Sequence, residues 1–207
     1  MTDAFQRFTD EYEAWFDRHD ETYQAELAAL EALRPDGDRS LSVGVGTGRF
    51  AAPLGIEYGV DPSAEMLEHA LARGIEGVLG VGESLPFCTD CFDTLLIVTT
   101  VCFFEDLDRA LSEAYRVLEP GGSILVGFID RASPVGQQYE ASKAENPFYR
   151  EATFYTTEEI EGAIRAAGFD AIERRQTVFT DPETMVDPDP VKHGTGEGSF
   201  VALRARA

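Results

Sequence analysis

Hydrophobic residues in the first 35 positions recur at steps of three and four residues, the spacing of one face of an α-helix. The stripe is rich in aromatic side chains and consists of Phe5, Phe8, Tyr12, Trp15, Phe16, Tyr23, Leu27 and Leu30. The polar segment 20–22 interrupts the pattern and predicts a division into two helices. We therefore expect residues 1–35 to form an N-terminal helical cap.

From residue 40 onward, short apolar runs alternate with amphipathic segments, as in chains built from strand–helix units. The predicted strands cover residues 41–45, 56–60, 77–81, 94–100, 124–129, 171–179 and 199–203. The runs 94–100 and 124–129 are apolar at consecutive positions, which is typical of strands covered on both faces. These two strands are expected near the centre of a parallel sheet.

Three helices are predicted between the strands. Ser63 is placed to cap the first, and residues 106–118 form the second, which stops at a Pro-Gly-Gly sequence. Thr156 and Glu159 have the spacing of a capping box, and the helix that they open closes at Gly168. Strands and helices in alternation predict right-handed crossovers and helices on both faces of the sheet.

The elements together predict a Rossmann-like, doubly wound α/β fold with a mostly parallel, seven-stranded sheet. A chain of 207 residues is long enough for one well-buried domain and short for two. We expect a single domain with the helical cap at 1–35, a cofactor-binding core at 40–130 and a substrate-side insertion at 131–156. The C-terminal helix and the last two strands then occupy 157–207. Ligands of such sheets lie outside the carboxyl ends of the strands.

Charge limits the partners that the chain can have. It carries 38 acidic and 17 basic residues, for a net charge of −21, and no basic patch, so we expect no nucleic-acid partner. Lysine occurs only at Lys143 and Lys192, a balance typical of proteins from a salt-rich cytoplasm, although an ordinary acidic protein is the alternative. The acidic start and the short apolar runs predict a cytoplasmic protein without a membrane partner.

The three cysteines predict no disulfide framework and no metal site. Cys88 and Cys91 have C-x-x-C spacing, but no second pair or nearby histidine completes a zinc site. A disulfide or redox role for this pair is the less favoured interpretation, and Cys102 follows the central strand alone.

A glycine cluster follows the first predicted strand. Gly44, Gly46 and Gly48 leave the backbone amides bare, so that a ligand can approach them closely. Asp61 ends the neighbouring strand, where it can accept both ribose hydroxyls of an adenosine, or can instead cap the following helix. Arg49 stands where a dinucleotide-binding loop needs a third small residue, which disfavours a nicotinamide cofactor.

The chain at this point resembles the class I S-adenosylmethionine-dependent methyltransferases, in particular the small type similar to ubiquinone and menaquinone C-methyltransferases. The resemblance rests on an ordered set of segments at 41–50, 59–67, 83–87, 92–94 and 114–122. It implies that Gly44, Gly46 and Gly48 face the methionine part of the cofactor and Asp61 the ribose. Met66, or the backbone of Gly82, Glu83 and Ser84, would then face the adenine.

Methyl transfer to a small molecule is an in-line displacement that needs alignment and a dry site rather than a covalent nucleophile. A base is required only when the acceptor must lose a proton. The candidates are His19, Asp130 and His193, with packing or solvated histidines and a turn aspartate as the alternatives.

The predicted substrate residues belong to the segments that flank the core. They are Tyr12, Trp15, Phe16, Tyr23, Tyr149 and Arg150. Aromatic faces can hold a planar or cationic acceptor, and Arg150 or Arg131 can pair with a carboxylate. Simple core packing of the rings and surface ion pairs of the arginines are the alternatives.

Two other functions stay open. Family members usually have acids at the positions of Ser42 and Val81, so a non-catalytic S-adenosylmethionine-binding protein is one alternative. A nicotinamide-dependent oxidoreductase on a related sheet is the other, and Arg49 weakens it.

Overall fold

The residues that the structure describes form one mixed sheet of eight strands. The computed structural model describes residues 2–207, with side chains from residue 5 onward. The strands are β1 Ser40–Val43, β2 Tyr58–Asp61, β3 Glu76–Leu79, β4 Phe92–Val98, β5 Leu118–Ile129, β6 Asp170–Thr177, β7 Lys192–His193 and β8 Phe200–Arg206. Their order in the sheet is β3-β2-β1-β4-β5-β8-β6-β7. Strands β1 to β5 pair in parallel, and β8 is antiparallel to both β5 and β6. The mostly parallel, doubly wound fold is confirmed.

The predicted number of strands, seven, was wrong by one. The additional strand, β7, has two residues and pairs antiparallel with Arg175 and Gln176 of β6. A strand of two residues is too short to show an alternating pattern of apolar and polar residues. It forms only because two distant segments of the chain approach each other in the fold.

In residues 2–207, seven α-helices surround the sheet. They are α1 Thr2–Arg7, α2 Thr9–Arg18, α3 Asp20–Glu31, α4 Ala64–Ala72, α5 Leu107–Val117, α6 Pro134–Ser142 and α7 Thr157–Ala166. The cap contains three helices rather than two, because the chain breaks at Phe8 as well as at His19. Within the described residues, no helix is both long and apolar enough to cross a membrane.

Helix caps fix the ends of the elements that carry the site. The Ser63 side chain accepts a hydrogen bond from the amide of Met66 and so caps α4. Thr156 and Glu159 form the predicted capping box at the start of α7. Both predictions are confirmed.

The two faces of the sheet have separate hydrophobic cores. Leu95 and Ile97 of β4 pack into the core beneath α5 and α7, whereas Leu96 and Val98 of the same strand pack into the core that includes Leu30 of α3. All four β4 side chains are buried, so the consecutive apolar residues do mark a strand covered on both faces.

The cap and residues 131–156 meet above the carboxyl end of the sheet. Phe5 of α1 contacts Phe103, which follows β4, and Phe148 from the insertion, at ring-centroid distances of 5.1 and 5.3 Å. The insertion contains α6, which the sequence did not predict, and the amide of Thr153 ties it to the carbonyl of Cys102. This junction encloses the space beside the strand ends.

The cysteine pair lies away from this space. Cys88 and Cys91 form a disulfide in the turn before β4, the interpretation that the sequence favoured less. Cys102 is a free, buried thiol.

Candidate active site

A cavity of about 770 Å³ lies where β1, β2 and β4 end beneath the helical cap. Its floor comes from the strand ends, with Gly44, Gly46, Asp61, Pro62, Ser63, Val98, Thr99 and Thr100. Its walls come mainly from the cap and the insertion, with Tyr12, Trp15, Phe16, Glu26, Tyr139, Phe148 and Tyr149 among them. The cavity therefore has a polar backbone floor and an aromatic enclosure.

The glycine loop is held against β2. The amides of Gly44 and Val45 both donate to the carbonyl of Val60, at 2.8 and 3.1 Å. Gly46 has a φ of +54°, and a Cβ there would meet nothing nearer than the Tyr12 hydroxyl, at 3.9 Å. The backbone at Gly46 is thus bare toward the cavity. Between β1 and β2 the described chain forms turns rather than a helix, so the loop does not start a dinucleotide-type helix.

Gly48 has a different structural role from Gly44 and Gly46. It does not line the cavity, and a Cβ there would lie 2.6 Å from Ile75 and 3.3 Å from the backbone of Ala70. Its missing side chain lets the loop pack against the end of α4.

Asp61 is fixed by two backbone amides. Its Oδ2 accepts from the Gly46 amide and its Oδ1 from the Ser63 amide, each at 2.9 Å. Burial raises the pKa of Asp61, and these two hydrogen bonds oppose the rise. Since Ser63 caps α4, Asp61 is not the cap residue. Each carboxylate oxygen keeps a lone pair with which it can accept a further hydrogen bond, as two adjacent ribose hydroxyls require.

The residues predicted at the adenine do not line the cavity. Met66 is buried in α4, with 2% of its surface exposed. The Glu83 carboxylate accepts from the Glu105 amide, and the Glu83 carbonyl accepts from Arg109. Gly82 and Ser84 also lie outside the cavity lining, whereas Pro62 and Ser63, which were not predicted as cofactor residues, belong to it.

Four of the six predicted substrate residues line the cavity: Tyr12, Trp15, Phe16 and Tyr149. Tyr23 does not, because its hydroxyl donates to the carbonyl of Arg49 and its ring packs on Phe50. Arg150 is exposed outside the cavity, and Arg131 forms an ion pair with Glu159. Tyr23 is therefore a packing residue.

The three candidate bases lie in different surroundings. His19 is buried, stacks on Trp15 at 4.6 Å and contacts Glu183 Oε1 at 3.1 Å, so it borders the cavity wall without lining it. Asp130 accepts from the Ala132 amide and the Thr157 hydroxyl, as a turn residue does. His193 is exposed on the edge strand β7, outside the cavity lining.

Sequence reasoning missed Glu26, which lines the cavity from α3. Its side chain is buried, with 4% of the residue exposed. Burial alone raises the pKa of Glu26 to about 8. The signal was present: Glu26 follows Tyr23 by three residues and so interrupts the apolar stripe from within.

Comparison with known proteins identifies the family. A methyltransferase-domain family profile matches residues 41–126. A crystal structure of an S-adenosylmethionine-dependent methyltransferase from Thermotoga maritima is 46% identical, with a TM-score of 0.97 over 100% of this chain and 99% of that chain. This chain is an S-adenosylmethionine-dependent methyltransferase.

Other relatives extend the match over the length of the methyltransferase. An uncharacterised protein of Methanocaldococcus jannaschii is 43% identical over 202 residues, 98% of each chain. A malonyl-[acyl-carrier protein] O-methyltransferase of Geobacter sulfurreducens is 30% identical over 230 residues, 99% of this chain and 84% of that protein. The enzyme uses S-adenosylmethionine, so the nicotinamide alternative is wrong, and the family favours an enzyme over a binding protein.

Proposed function

We propose that this methyltransferase transfers the methyl group of S-adenosylmethionine to a small molecule held in the cavity beneath the helical cap. The observation that carries the proposal is that one enclosed space contains both the bare glycine loop with Asp61 and a set of aromatic side chains. Its volume lies within the range of about 300–1,000 Å³ that is typical of small-molecule sites.

The floor of the cavity suits the cofactor. The bare backbone at Gly46 can approach the methionine part closely, and the free lone pairs of Asp61 suit the ribose hydroxyls. When bound, S-adenosylmethionine supplies an activated methyl group on a positively charged sulfur. The protein's own contribution is to bind, to align and to exclude water.

The aromatic enclosure suits the acceptor side. The Tyr12 ring lies 5.1 Å from the Phe16 ring and 6.2 Å from the Phe148 ring, measured between centroids. Positive charge disappears from the sulfur during methyl transfer, so a site that excludes water and holds the acceptor in line favours the reaction.

The descriptions of two relatives name methyl acceptors of different kinds. The Thermotoga protein is described as a possible histamine N-methyltransferase, and the Geobacter protein is a malonyl-[acyl-carrier protein] O-methyltransferase. The lining favours an acceptor other than a carboxylate, because Arg150 and Arg131 lie outside it and Arg18 is its one basic side chain among the described residues.

The test is to incubate the protein with S-adenosylmethionine and a panel of small amines, phenols, thiols and carboxylic acids, and to measure S-adenosylhomocysteine formation. Malonyl-loaded acyl carrier protein is included as the macromolecular acceptor. We expect turnover with at least one small molecule and a large loss of kcat/KM in Trp15→Ala, but not in the control Tyr115→Ala, whose ring packs on Phe169 away from the cavity. Turnover with the carrier protein alone would contradict the proposal.

A further inference from the structure

Glu26 is a carboxyl group without a protein partner inside the aromatic part of the cavity. Among the residues that the structure describes, none forms an ion pair or a hydrogen bond with its carboxyl. A buried acid in this situation is costly to the fold, and buried charges in proteins are normally paired. The position therefore lacks the positive group that a ligand can supply.

Three tyrosines from separate elements line the same cavity as this carboxyl. Tyr12 comes from α2, Tyr139 from α6 and Tyr149 from the loop after α6, and all three line the cavity with Glu26. Burial is the main cause of their raised pKa values, and the negative charge of Glu26 raises each of them further. Their rings, with Trp15, present the aromatic faces that attract a cation.

Charge around the cavity has the sign that attracts a cation. The acidic residues of the lining are Asp10, Glu11, Glu26, Asp61 and Glu183. Arg18 is the one basic residue of the lining within the part of the chain that is described. A cleft lined by one sign of charge concentrates ligands of the opposite sign.

We infer that the methyl acceptor is an amine and that Glu26 binds its protonated nitrogen between the aromatic rings. This inference rests on the proposed function, since it names the chemical class of the acceptor in the same cavity. The inference also makes Glu26 the proton acceptor in the reaction. The ammonium gives its proton to the Glu26 carboxylate, and the freed nitrogen lone pair forms the new N–C bond as the donor's C–S bond breaks. The methylated ammonium leaves with the positive charge, and Glu26 releases the proton to solvent.

The pKa of Glu26, about 8, suits this exchange because it lies near neutral pH. The other titratable groups of the lining are the three tyrosines, the acids Asp10, Glu11, Asp61 and Glu183, and the base Arg18. The tyrosine pKa values are raised far above neutrality, so these rings keep their protons in the same range. A protonated Glu26 in the free enzyme must then lose its proton when an ammonium binds.

The first test compares isosteric probes by calorimetry at pH 7, with the protein saturated with S-adenosylhomocysteine. The probes are pairs such as 2-phenylethylamine and 2-phenylethanol, spanning aliphatic and aromatic skeletons. We expect at least one amine to bind ten times more tightly than its alcohol, and Glu26→Gln to abolish that preference. Glu31→Gln, the same change at an exposed position of α3, should retain it. Amines that bind no better than their alcohols, or a preference that survives in Glu26→Gln, would overturn the inference.

A second measurement needs no variant. Amine titrations of the wild-type protein in buffers with different ionisation enthalpies report the protons exchanged on binding. We expect release of close to one proton per amine at pH 7 and none for the alcohol. Amine binding without proton release overturns the inference.

Cofactor titrations separate this inference from the proposed function. If the wild-type protein binds no S-adenosylhomocysteine, the proposed function fails. If it binds normally but shows no amine preference, only the assignment to Glu26 and amines fails. If Glu26→Gln weakens S-adenosylmethionine more than S-adenosylhomocysteine, the carboxylate faces the sulfonium instead, and the inference is likewise overturned.

Discussion

Arg73, the residue that ends α4, donates from Nη2 to Glu13 Oε2 of α2 at 2.6 Å and from Nη1 to the carbonyl of Thr47 at 2.8 Å. Glu13 Oε2 also accepts from Arg49 Nε, at 3.0 Å. The Glu13 carboxylate of the cap is therefore connected to the glycine loop twice, directly through Arg49 and indirectly through Arg73, which also binds the Thr47 carbonyl. The cap and the glycine loop are held together by charge as well as by apolar packing.

Glu13→Gln should lower the free energy of unfolding by about 2 kcal/mol at pH 7, because charged hydrogen bonds are lost at a largely buried position. Burial acts to raise the pKa of Glu13, but the bonds from Arg49 and Arg73 outweigh it and hold the pKa below its usual 4.5. This stabilisation is present above pH 4.5 and is lost as the pH falls through the lowered pKa. Urea unfolding at pH 7 and pH 3 measures both effects, with Glu31→Gln as the control. Equal stability of Glu13→Gln and wild type at pH 7 would contradict this arrangement.

Glu26 gives the opposite dependence on pH. Its folded pKa of about 8 lies above the unfolded value of 4.5, so its contribution to stability is complete below pH 4.5 and is lost as the pH rises through 8. The total change is about 5 kcal/mol, at roughly 1.4 kcal/mol for each pKa unit. Glu26→Gln should therefore gain stability relative to wild type between pH 5 and pH 9 in urea unfolding. A difference that stays constant over this range would show that the carboxyl titrates normally.

Gly46→Ala should weaken S-adenosylhomocysteine binding at least tenfold, because the new Cβ projects toward the cavity from a backbone with φ of +54°. Gly121 is the matched control, since it has a φ of +86° and a Cβ there meets nothing within 4 Å. Both variants should lose about 1 kcal/mol of stability from the backbone conformation. Calorimetry distinguishes them, and unchanged affinity in Gly46→Ala would remove that residue from the cofactor site.

His19→Ala should raise the KM for the acceptor while the Kd for the cofactor stays within about threefold. The reason is that His19 contacts the Trp15 ring and Glu183, both in the cavity lining, but no residue of the glycine loop. His193→Ala is the control, because His193 is exposed on β7. Steady-state kinetics with the best acceptor of the panel measures the effect. A loss of kcat in His193→Ala would instead assign the base to the edge strand.

Much of the fold could be predicted because short sequence patterns determine many of its strands and helices. Consecutive apolar residues at 95–98 mark a strand buried on both faces, and Thr156 with Glu159 marks a helix start. The positions of Gly46 and Asp61 could also be predicted, since parallel strand ends meet at one edge of the sheet. Features that depend on contacts between distant parts of the sequence could not be predicted. The two-residue β7 exists only through its partner strand, and Asp130 is satisfied by Thr157, 27 residues away.

The acceptor side of the site was only partly predictable for a related reason. Helical spacing places Tyr12, Phe16 and Tyr23 on one face of the cap. It does not show which of these rings packs against the glycine loop and which lines the cavity. Tyr23 packs on Phe50, whereas Tyr12 reaches Gly46. Glu26 was overlooked because a charged residue in a helix is ordinarily placed on the solvent face.

The most direct measurement is a calorimetric titration of S-adenosylmethionine into wild-type protein, Asp61→Ala and the control Glu68→Ala, which removes an exposed acid from α4. The wild-type protein and Glu68→Ala should bind alike. Asp61→Ala should bind roughly 30-fold more weakly, since charged hydrogen bonds of about 2 kcal/mol are lost. Equal affinity of Asp61→Ala and wild type would show that the cofactor binds elsewhere and would contradict the account.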